Sequence, residues 1–172
     1  NRGLRADGSN LAAFLYLLQE NHPHHYQEIR NVIRQVTPFF DDFRLQPLAL
    51  SPENIKLEWT HIESDQYFDA SALSDGTLRF IALATALLQP VSYRPSTLIV
   101  DEPELGLHPA ALRLLAAMVR RAAVPDGVTG ASQVILSTQS APLLDDFSPE
   151  DVLVAERASG GTVVQRLDSG SL

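Results

Sequence analysis

Two adjacent carboxylates, Asp101 and Glu102, follow the apolar residues 97–100 and precede Pro103. A strand is expected to end here, because proline has no backbone N–H to donate to a sheet. Ligands of open α/β sheets bind beyond the carboxyl ends of the strands, so Asp101 can hold Mg²⁺ and Glu102 can activate a water that attacks a γ-phosphate. A strand that runs into an ordinary acidic turn is the alternative interpretation of these residues alone.

A second candidate element is the segment Leu73-Ser74-Asp75-Gly76-Thr77-Leu78-Arg79, which precedes a helical pattern of apolar residues. Ser74 supplies a hydroxyl donor, and Gly76 lets the backbone approach a phosphate at the N-terminus of the following helix. With Asp75 and Thr77, these residues form the candidate nucleotide-binding set. A helix cap followed by a turn glycine is the alternative.

Two further segments follow apolar strands. Directly after the carboxylate pair, the chain reads Glu104-Leu105-Gly106-Leu107-His108-Pro109, and Pro109 is also suited to the first turn of a helix. Gln139 follows the apolar strand of residues 133–137, and its amide can hydrogen-bond a γ-phosphate or an attacking water.

Together, these four segments resemble the RecF/SMC-like branch of the ABC-type ATPases. Residues 73–79 resemble the LSGGQ signature, with Asp75 and Thr77 in place of Gly and Gln, and residues 97–102 resemble the Walker B strand. Residues 101–109 resemble the D-loop region of this branch, which would include Glu104, Gly106 and His108. Residues 137–145 resemble the switch, or H-loop, in which the family usually has His at the position of Gln139. The resemblance covers roughly residues 73–157 and is weak before residue 70.

The resemblance implies an ATPase that uses ATP and Mg²⁺, with Asp101 on the metal ion, Glu102 as the catalytic base and Gln139 as the sensor of the γ-phosphate. It also implies that Ser74 and Gly76 contact nucleotide bound to a second head, so a homodimer is expected. DNA repair, chromosome maintenance or defence against foreign DNA would be the setting, with DNA, a nuclease or another effector as partner.

One expected element is missing. A phosphate-binding loop needs the pattern G-x-x-x-x-G-K-[ST], whereas Lys56 is the sole lysine and follows Ile55. Either the chain is a fragment or the missing lobe comes from other residues, and the start at Asn1 without an initiator Met favours a natural start upstream. The segment alone is expected to be inactive, and the complete domain is expected to hydrolyse ATP.

The periodicity predicts the elements that must position these residues. Apolar residues at helical spacing predict helices over residues 10–18 and 25–36, and the histidine-rich residues 22–25 are expected to form a solvated turn between them. Alternating residues between 39 and 72 predict a small antiparallel sheet. Beyond residue 74, helices over 77–88 and 109–123 alternate with strands, which favours a parallel sheet with helices on its faces. A final β-hairpin is expected from strands 151–156 and 162–167 around Ser159, Gly160 and Gly161.

The predicted fold class is therefore α/β: a partial ABC-type P-loop NTPase sandwich with a mainly parallel sheet flanked by helices. Residues 1–72 would form a helical hairpin and a small β segment inserted in the head, and residues 73–172 would form its C-terminal lobe.

Composition limits the partners and the cellular compartment that are expected for this chain. The 172 residues carry a formal net charge of −8 and contain no cysteine, which argues against nucleic-acid binding over the whole surface and suits a reducing cytoplasm. Arg113, Arg120 and Arg121 can share one helix face, either as a local basic patch or as an ordinary solvated surface. No apolar run reaches the ~20 residues of a membrane helix. A transporter's nucleotide-binding subunit and a non-hydrolysing interaction module remain the competing functions.

Overall fold

The computed structural model describes residues 3–49, 51–124, 132–158 and 160–167. The elements, in chain order, are α1 (Leu11–Asn21), α2 (Pro23–Val36), β1 (Phe40–Leu48), β2 (Ser51–His61), β3 (Tyr67–Asp69), α3 (Asp75–Leu88), β4 (Thr97–Asp101), α4 (Pro109–Ala123), β5 (Gln133–Ser137), α5 (Ala141–Leu144), β6 (Leu153–Ala158) and β7 (Gly161–Arg166). Short 3-10 turns lie at Ala70–Ala72, Val91–Tyr93 and Pro149–Asp151. No helix in these ranges has the length and apolar character needed to cross a membrane.

The strands form three separate sheets in the described parts of the chain. Strands β1, β2 and β3 make the predicted antiparallel sheet, and β6 and β7 make the predicted hairpin, whose residue Ser159 lies outside the described residues. Strands β4 and β5 pair in parallel, with α4 as the connection between them. This β4–α4–β5 unit confirms the predicted α/β class, because parallel neighbours need such a crossover.

One face of the β4–β5 sheet packs against the core. Leu98, Val100, Val134 and Leu136 contact the main hydrophobic cluster, to which α1, α2, α3 and α4 all contribute. On the opposite face, Ile99 is 72% exposed and Ile135 is 44% exposed. The sequence predicted strands buried on both faces, and in the described residues the helices cover one face only.

The antiparallel sheet is joined to α2 by polar contacts. The Tyr26 hydroxyl donates to Asp42 Oδ1 at 2.6 Å, and Arg30 forms ion pairs with Asp41 and Asp42. Burial and the hydrogen bond to Asp42 raise the pKa of the Tyr26 phenol. These contacts fix α2 on β1, so the N-terminal part of the chain packs as one unit with the core.

The histidine-rich segment corrects one expectation. The predicted turn over residues 22–25 is wrong, because α2 already begins at Pro23 and places His24 and His25 in its first turn. Proline is favoured at this position, since the first helical N–H has no intrahelical partner. The His25 side chain then reaches the C-terminal end of α3, where its Nδ1 lies 2.8 Å from the Leu88 carbonyl oxygen.

The predicted basic helix face is also changed by packing. Arg121 pairs with Glu28 on α2, and Arg120 bonds the Asp146 carbonyl oxygen and lies over the Phe147 ring. Two of the three arginines proposed from sequence therefore join elements of the fold rather than forming a free surface.

Candidate active site at the ends of β4 and β5

The two parallel strands end side by side. Asp101 and Ser137 are paired residues of the ladder, and Ser137 Oγ donates a hydrogen bond to Asp101 Oδ1. One residue further, the Glu102 backbone N–H donates to the Ser137 carbonyl oxygen at 2.9 Å. The strand ends are thus joined by both side-chain and backbone contacts, and the carboxylate pair predicted from sequence lies at the carboxyl edge of the sheet.

Glu102 and Gln139 face each other across this edge. The Gln139 Nε2 atom lies 3.4 Å from Glu102 Oε1, and the Gln139 side chain is exposed. A carboxylate accepts hydrogen bonds and an amide both donates and accepts them, so this pair can hold a water molecule from two sides. The predicted catalytic residues are therefore brought together by the fold.

Glu104 turns towards the segment that carries Gln139. Its Oε1 accepts a hydrogen bond from Thr138 Oγ1 at 2.7 Å and another from the Gln139 backbone N–H at 3.1 Å. Burial raises the pKa of the Glu104 carboxyl, but the hydrogen bonds from Thr138 and Gln139 act in the opposite direction, and the net pKa is lowered. Glu104 thus holds the switch-like segment of its own chain as an ionised acceptor.

The signature-like segment begins α3. Ser74 is the N-cap, and its Oγ accepts from the Thr77 backbone N–H at 3.1 Å and lies 2.9 Å from Thr77 Oγ1. Both Ser74 and Asp75 are exposed. The Ser74 end of α3 is therefore exposed, and the Asp75 charge that stabilises the helix N-terminus would repel an anion there.

A tight backbone contact joins α3 to the loop after β4. A Cβ atom added at Gly76 would overlap the Gly106 carbonyl oxygen and lie 2.8 Å from the carbonyl carbon. Gly106 has φ +75°, in the left-handed region that favours glycine. Beyond the phosphate approach expected from sequence, Gly76 therefore has a second role, which is to let this loop reach the helix.

Arg79 makes a second connection between the same two elements. Its Nη1 donates to the Glu102 carbonyl oxygen at 3.2 Å. Arg79 also lines a crevice of about 280 Å³ with Asp75, Gly76, Leu105 and Gly106. Arg79, Ser137 and Thr138 lie within the motif segments, but the sequence alone assigns them no role, because their contacts depend on which loops the fold brings together.

The remaining predicted residue, His108, caps the next helix. Its Nδ1 accepts from the Ala110 backbone N–H at 3.3 Å, and Pro109 occupies the first turn of α4. In this position His108 ends the loop that begins at Glu102 and fixes the start of the crossover helix.

Lys56 lies away from these loops. It is on β2 and pairs with Asp69 at 2.9 Å and with Glu58 at 3.2 Å. The hydrogen bonds that Lys56 donates to Asp69 and, to a lesser extent, to Glu58 raise the pKa of its ammonium group. The sole lysine is thus part of the antiparallel sheet and not of a phosphate-binding loop.

The oxygen donors at the strand ends fit a magnesium ion in their chemistry. Mg²⁺ is usually bound by one or two carboxylates together with the phosphates of a substrate, and Asp101 supplies such a carboxylate. Among the residues that the structure describes, no group of three or more His, Cys, Asp or Glu could hold a metal ion. A metal here would therefore depend on ligands from a nucleotide as well as on Asp101.

Solved structures with a similar fold include heads of SMC proteins. One, from work on the structural biochemistry of ATP-driven dimerization and DNA-stimulated activation of SMC ATPases, has a TM-score of 0.62 at 15% identity over 90% of this chain and 89% of that one. An Smc head bound to the C-winged helix domain of ScpA gives 0.64 at 13% identity, covering 92% of this chain and 51% of that one. The SMC head domain from Thermotoga maritima gives 0.55 at 11% identity, covering 91% and 52%. The chain thus has the fold of an SMC head and spans about half the length of the last two.

Sequence comparison gives the family. No curated protein sequence matches the chain. A family model described as "AAA domain, putative AbiEii toxin, Type IV TA system" matches residues 2–146, which include the signature-like segment, the carboxylate pair and Gln139. The chain therefore belongs to this family of AAA domains.

Proposed function

We propose that the chain is the C-terminal lobe of an ABC-type, SMC-like head that binds and hydrolyses ATP. The observation that carries the proposal is the pair of joined strand ends, where Asp101 is held by Ser137 and Glu102 lies 3.4 Å from Gln139. A metal-binding carboxylate, a base and a polar water-orienting group are three of the protein groups that hydrolysis of a γ-phosphate needs, and the phosphate-binding loop is the fourth.

Each residue at the strand ends has a distinct role in this proposal. Bound by Asp101 and the nucleotide, Mg²⁺ would supply charge neutralisation at the phosphates. Glu102 accepts a proton from the attacking water, and Gln139 orients that water and contacts the γ-phosphate. Because an amide cannot take up a proton as imidazole does, Gln139 contributes a hydrogen bond without a positive charge.

The nucleotide-binding residues of α3 act on a second head. In this proposal Ser74, Asp75, Gly76 and Thr77 bind phosphate oxygens at the helix N-terminus, where Ser74 and Asp75 are exposed, Thr77 is half-buried and Gly76 is buried. The phosphate-binding loop comes from residues outside this chain, since Lys56 is held in ion pairs on β2. ATP would then be enclosed between two copies, with Glu104, Gly106 and His108 in the loop near the junction. Hydrolysis would separate the copies.

The exposed face of the β4–β5 sheet supports the proposal that another lobe completes the head. Ile99 and Ile135 are ladder partners on this face, and both side chains are exposed there, so a covering lobe would bury them together. The same exposure also favours the alternative function, an interaction module that binds a partner without hydrolysis. The Glu102–Gln139 arrangement favours the enzyme, because a binding module has no need of it.

The cellular role is the furthest step of the proposal. DNA repair, chromosome maintenance or defence against foreign DNA, in the cytoplasm, suits a head of this kind, with DNA, a nuclease or another effector as partner. One similar structure comes from work on DNA-stimulated activation of SMC ATPases, and another is an Smc head in complex with a domain of ScpA. These properties belong to those proteins. The net charge of −8 favours a protein effector over direct contact between this lobe and DNA.

The first test replaces the base in a protein extended upstream to include a phosphate-binding loop. We expect Glu102→Gln to lower ATP turnover by about a hundredfold or more, since general bases contribute roughly 10²–10⁴-fold. Nucleotide-induced dimerisation should persist, because the amide keeps the shape of the site. Glu156→Gln, on exposed strand β6, is the matched control. Turnover that is unchanged by Glu102→Gln would remove Glu102 from the mechanism.

A comparison of the extended protein with the 172-residue chain tests whether a further lobe supplies the phosphate-binding loop. The extended protein should bind ATP and dimerise, and the 172-residue chain should do neither. If no extension restores nucleotide binding, the interaction module becomes the better account. Measuring turnover with and without DNA in the same experiment tests the proposed cellular role.

A further inference from the structure

The backbone of Glu102 has an unusual conformation. Its φ is +43°, the sole positive value among the non-glycine residues that the structure describes. A residue with a side chain adopts this conformation at an energetic cost and keeps it only where its surroundings impose it. The Glu102 side chain, placed in this way, is the one that meets Gln139.

Contacts on both sides hold this conformation. The Glu102 N–H donates to the Ser137 carbonyl oxygen at 2.9 Å. Its carbonyl oxygen accepts two hydrogen bonds, from the Leu105 N–H at 3.2 Å and from Arg79 Nη1 at 3.2 Å. Of these contacts, the hydrogen bond from Arg79 is the one made by a side chain. Because its donor is charged, it is stronger than a neutral hydrogen bond of the same length.

Arg79 belongs to the helix that starts at Ser74. The N-terminal turn of that helix also meets the loop through Gly76. Its Cα lies 3.2 Å from the place that a Cβ atom added to Gly106 would occupy. Two separate contacts, Gly76 to Gly106 and Arg79 to Glu102, therefore join α3 to the loop of residues 102–106. A movement of the first turn of α3 must be transmitted to that loop, because closely packed backbones cannot shift independently.

We infer that Arg79 is a positioning residue that keeps the Glu102 backbone in its left-handed conformation. Through Arg79, the conformation of Glu102 depends on the position of the first turn of α3. This inference rests on the proposed function. In a two-head assembly, the Ser74 end of α3 would contact the nucleotide of the other head. Arg79 then links occupancy of that site to the base of its own site.

The kinetic test uses the protein extended to include the phosphate-binding loop. We expect Arg79→Met to lower kcat roughly tenfold, as loss of one charge-assisted hydrogen bond implies, and to change KM by less than about twofold. Arg79→Lys keeps the charge and one donor and should recover part of kcat. Arg157→Met, on exposed strand β6, is the control. Equal kcat values for wild type and Arg79→Met would overturn the inference.

Chemical rescue separates positioning from a general structural effect. Arg79 lines an open crevice, so added guanidinium can reach the space that its side chain leaves. We expect millimolar guanidinium to raise kcat of Arg79→Met severalfold and to leave wild type and Arg157→Met unchanged. No rescue, combined with a normal unfolding transition of the variant, would contradict positioning through the guanidinium group.

A readout without catalysis distinguishes this inference from the proposed function. In the 172-residue chain, Arg79→Met should increase hydrogen exchange at the Leu105 and Glu102 amides, while exchange within α4 stays unchanged. Unchanged exchange at those two amides would overturn the inference whatever the enzyme does. If exchange increases but Glu102→Gln leaves turnover intact, the proposed function fails and the structural link remains.

Discussion

Thr138 donates its hydroxyl to Glu104 at 2.7 Å, and through this contact the loop after β4 holds the loop after β5. The next residue along, Gln139, donates its backbone N–H to the same carboxylate oxygen. Thr138 Oγ1 in turn accepts from the Ser140 N–H at 3.0 Å. The position of the Gln139 side chain opposite Glu102 thus depends on the carboxylate of Glu104.

The first prediction concerns the charge of Glu104. Glu104→Gln keeps an acceptor but loses the charge, so we expect the free energy of unfolding at neutral pH to fall by about 1 kcal/mol. Because the folded pKa of Glu104 is lowered from its ordinary value of 4.5, the ionised form stabilises the fold above that pH. The difference between wild type and variant should therefore shrink as the pH falls below 4.5.

Urea unfolding at several pH values measures this effect. Glu63→Gln, in an exposed turn, is the matched control and should stay close to wild type throughout. A difference between wild type and Glu104→Gln that does not change with pH would mean that the Glu104 charge does not stabilise the loop.

The second prediction concerns Gly76. In an exposed helix, Gly→Ala usually stabilises by about 1 kcal/mol, because alanine has the better helix propensity. Here the added Cβ would overlap the Gly106 carbonyl, so we expect Gly76→Ala to lower the free energy of unfolding by about 1–3 kcal/mol. Gly161→Ala, where the added Cβ meets nothing within 4 Å, is the control for urea melts. A stabilised Gly76→Ala protein would show that the two backbones are not in contact.

The third prediction concerns Gln139. In the extended protein, Gln139→His introduces a group that titrates at about pH 6.5, and the amide has no such titration. We expect the plot of kcat against pH for the variant to gain a transition between pH 6 and 7 that wild type lacks. Gln133→His, an exposed position on β5, serves as the control. A profile for Gln139→His that matches wild type would place residue 139 outside the catalytic step.

The fourth prediction concerns the exposed face of the β4–β5 sheet. Because Ile99 is 72% exposed, we expect Ile99→Lys to change the unfolding free energy of the 172-residue chain by about 0.5 kcal/mol or less. In the extended protein the same change should cost several times more, since a lysine would be buried against the proposed lobe. Arg157→Lys, at an exposed position on β6, is the control in both the 172-residue chain and the extended protein. Equal small effects in both would mean that nothing covers this face.

The elements near the site could be predicted because their signals are local. The helices predicted over residues 77–88 and 109–123 are present as α3, which begins two residues earlier at Asp75, and α4, and the strands end at Asp101 and Ser137. The start of α2 at Pro23 differs from the predicted start at residue 25, because four consecutive polar or cyclic residues resemble a turn, whereas proline is also favoured at the first helical position. Strand β2 extends beyond the alternating residues 54–59 to Ser51–His61, since pairing with β1 continues past the buried part.

The site was predictable by residue type but not by contact. Carboxylates at a strand end and a glutamine after the next strand are visible in sequence, and the fold brings them together. The Arg79 hydrogen bond to the Glu102 carbonyl spans 23 residues, and the Glu104 contact with Thr138 spans 34. Such contacts require knowing that both loops lie at one edge of the same sheet, which residue spacing alone cannot supply.

The register of the β4–β5 ladder sets the spacing of the chemistry. Five residue pairs, from Thr97–Gln133 to Asp101–Ser137, align the strands so that their polar ends lie at one level. A deletion of one residue inside either strand would move the residues on one side of the deletion by about 3.3 Å and turn their side chains to the opposite face. If the carboxyl end of the strand shifted, Glu102 or Gln139 would move with it, and the two side chains would no longer meet. Variation in length during evolution should therefore be tolerated between these strands and excluded within them.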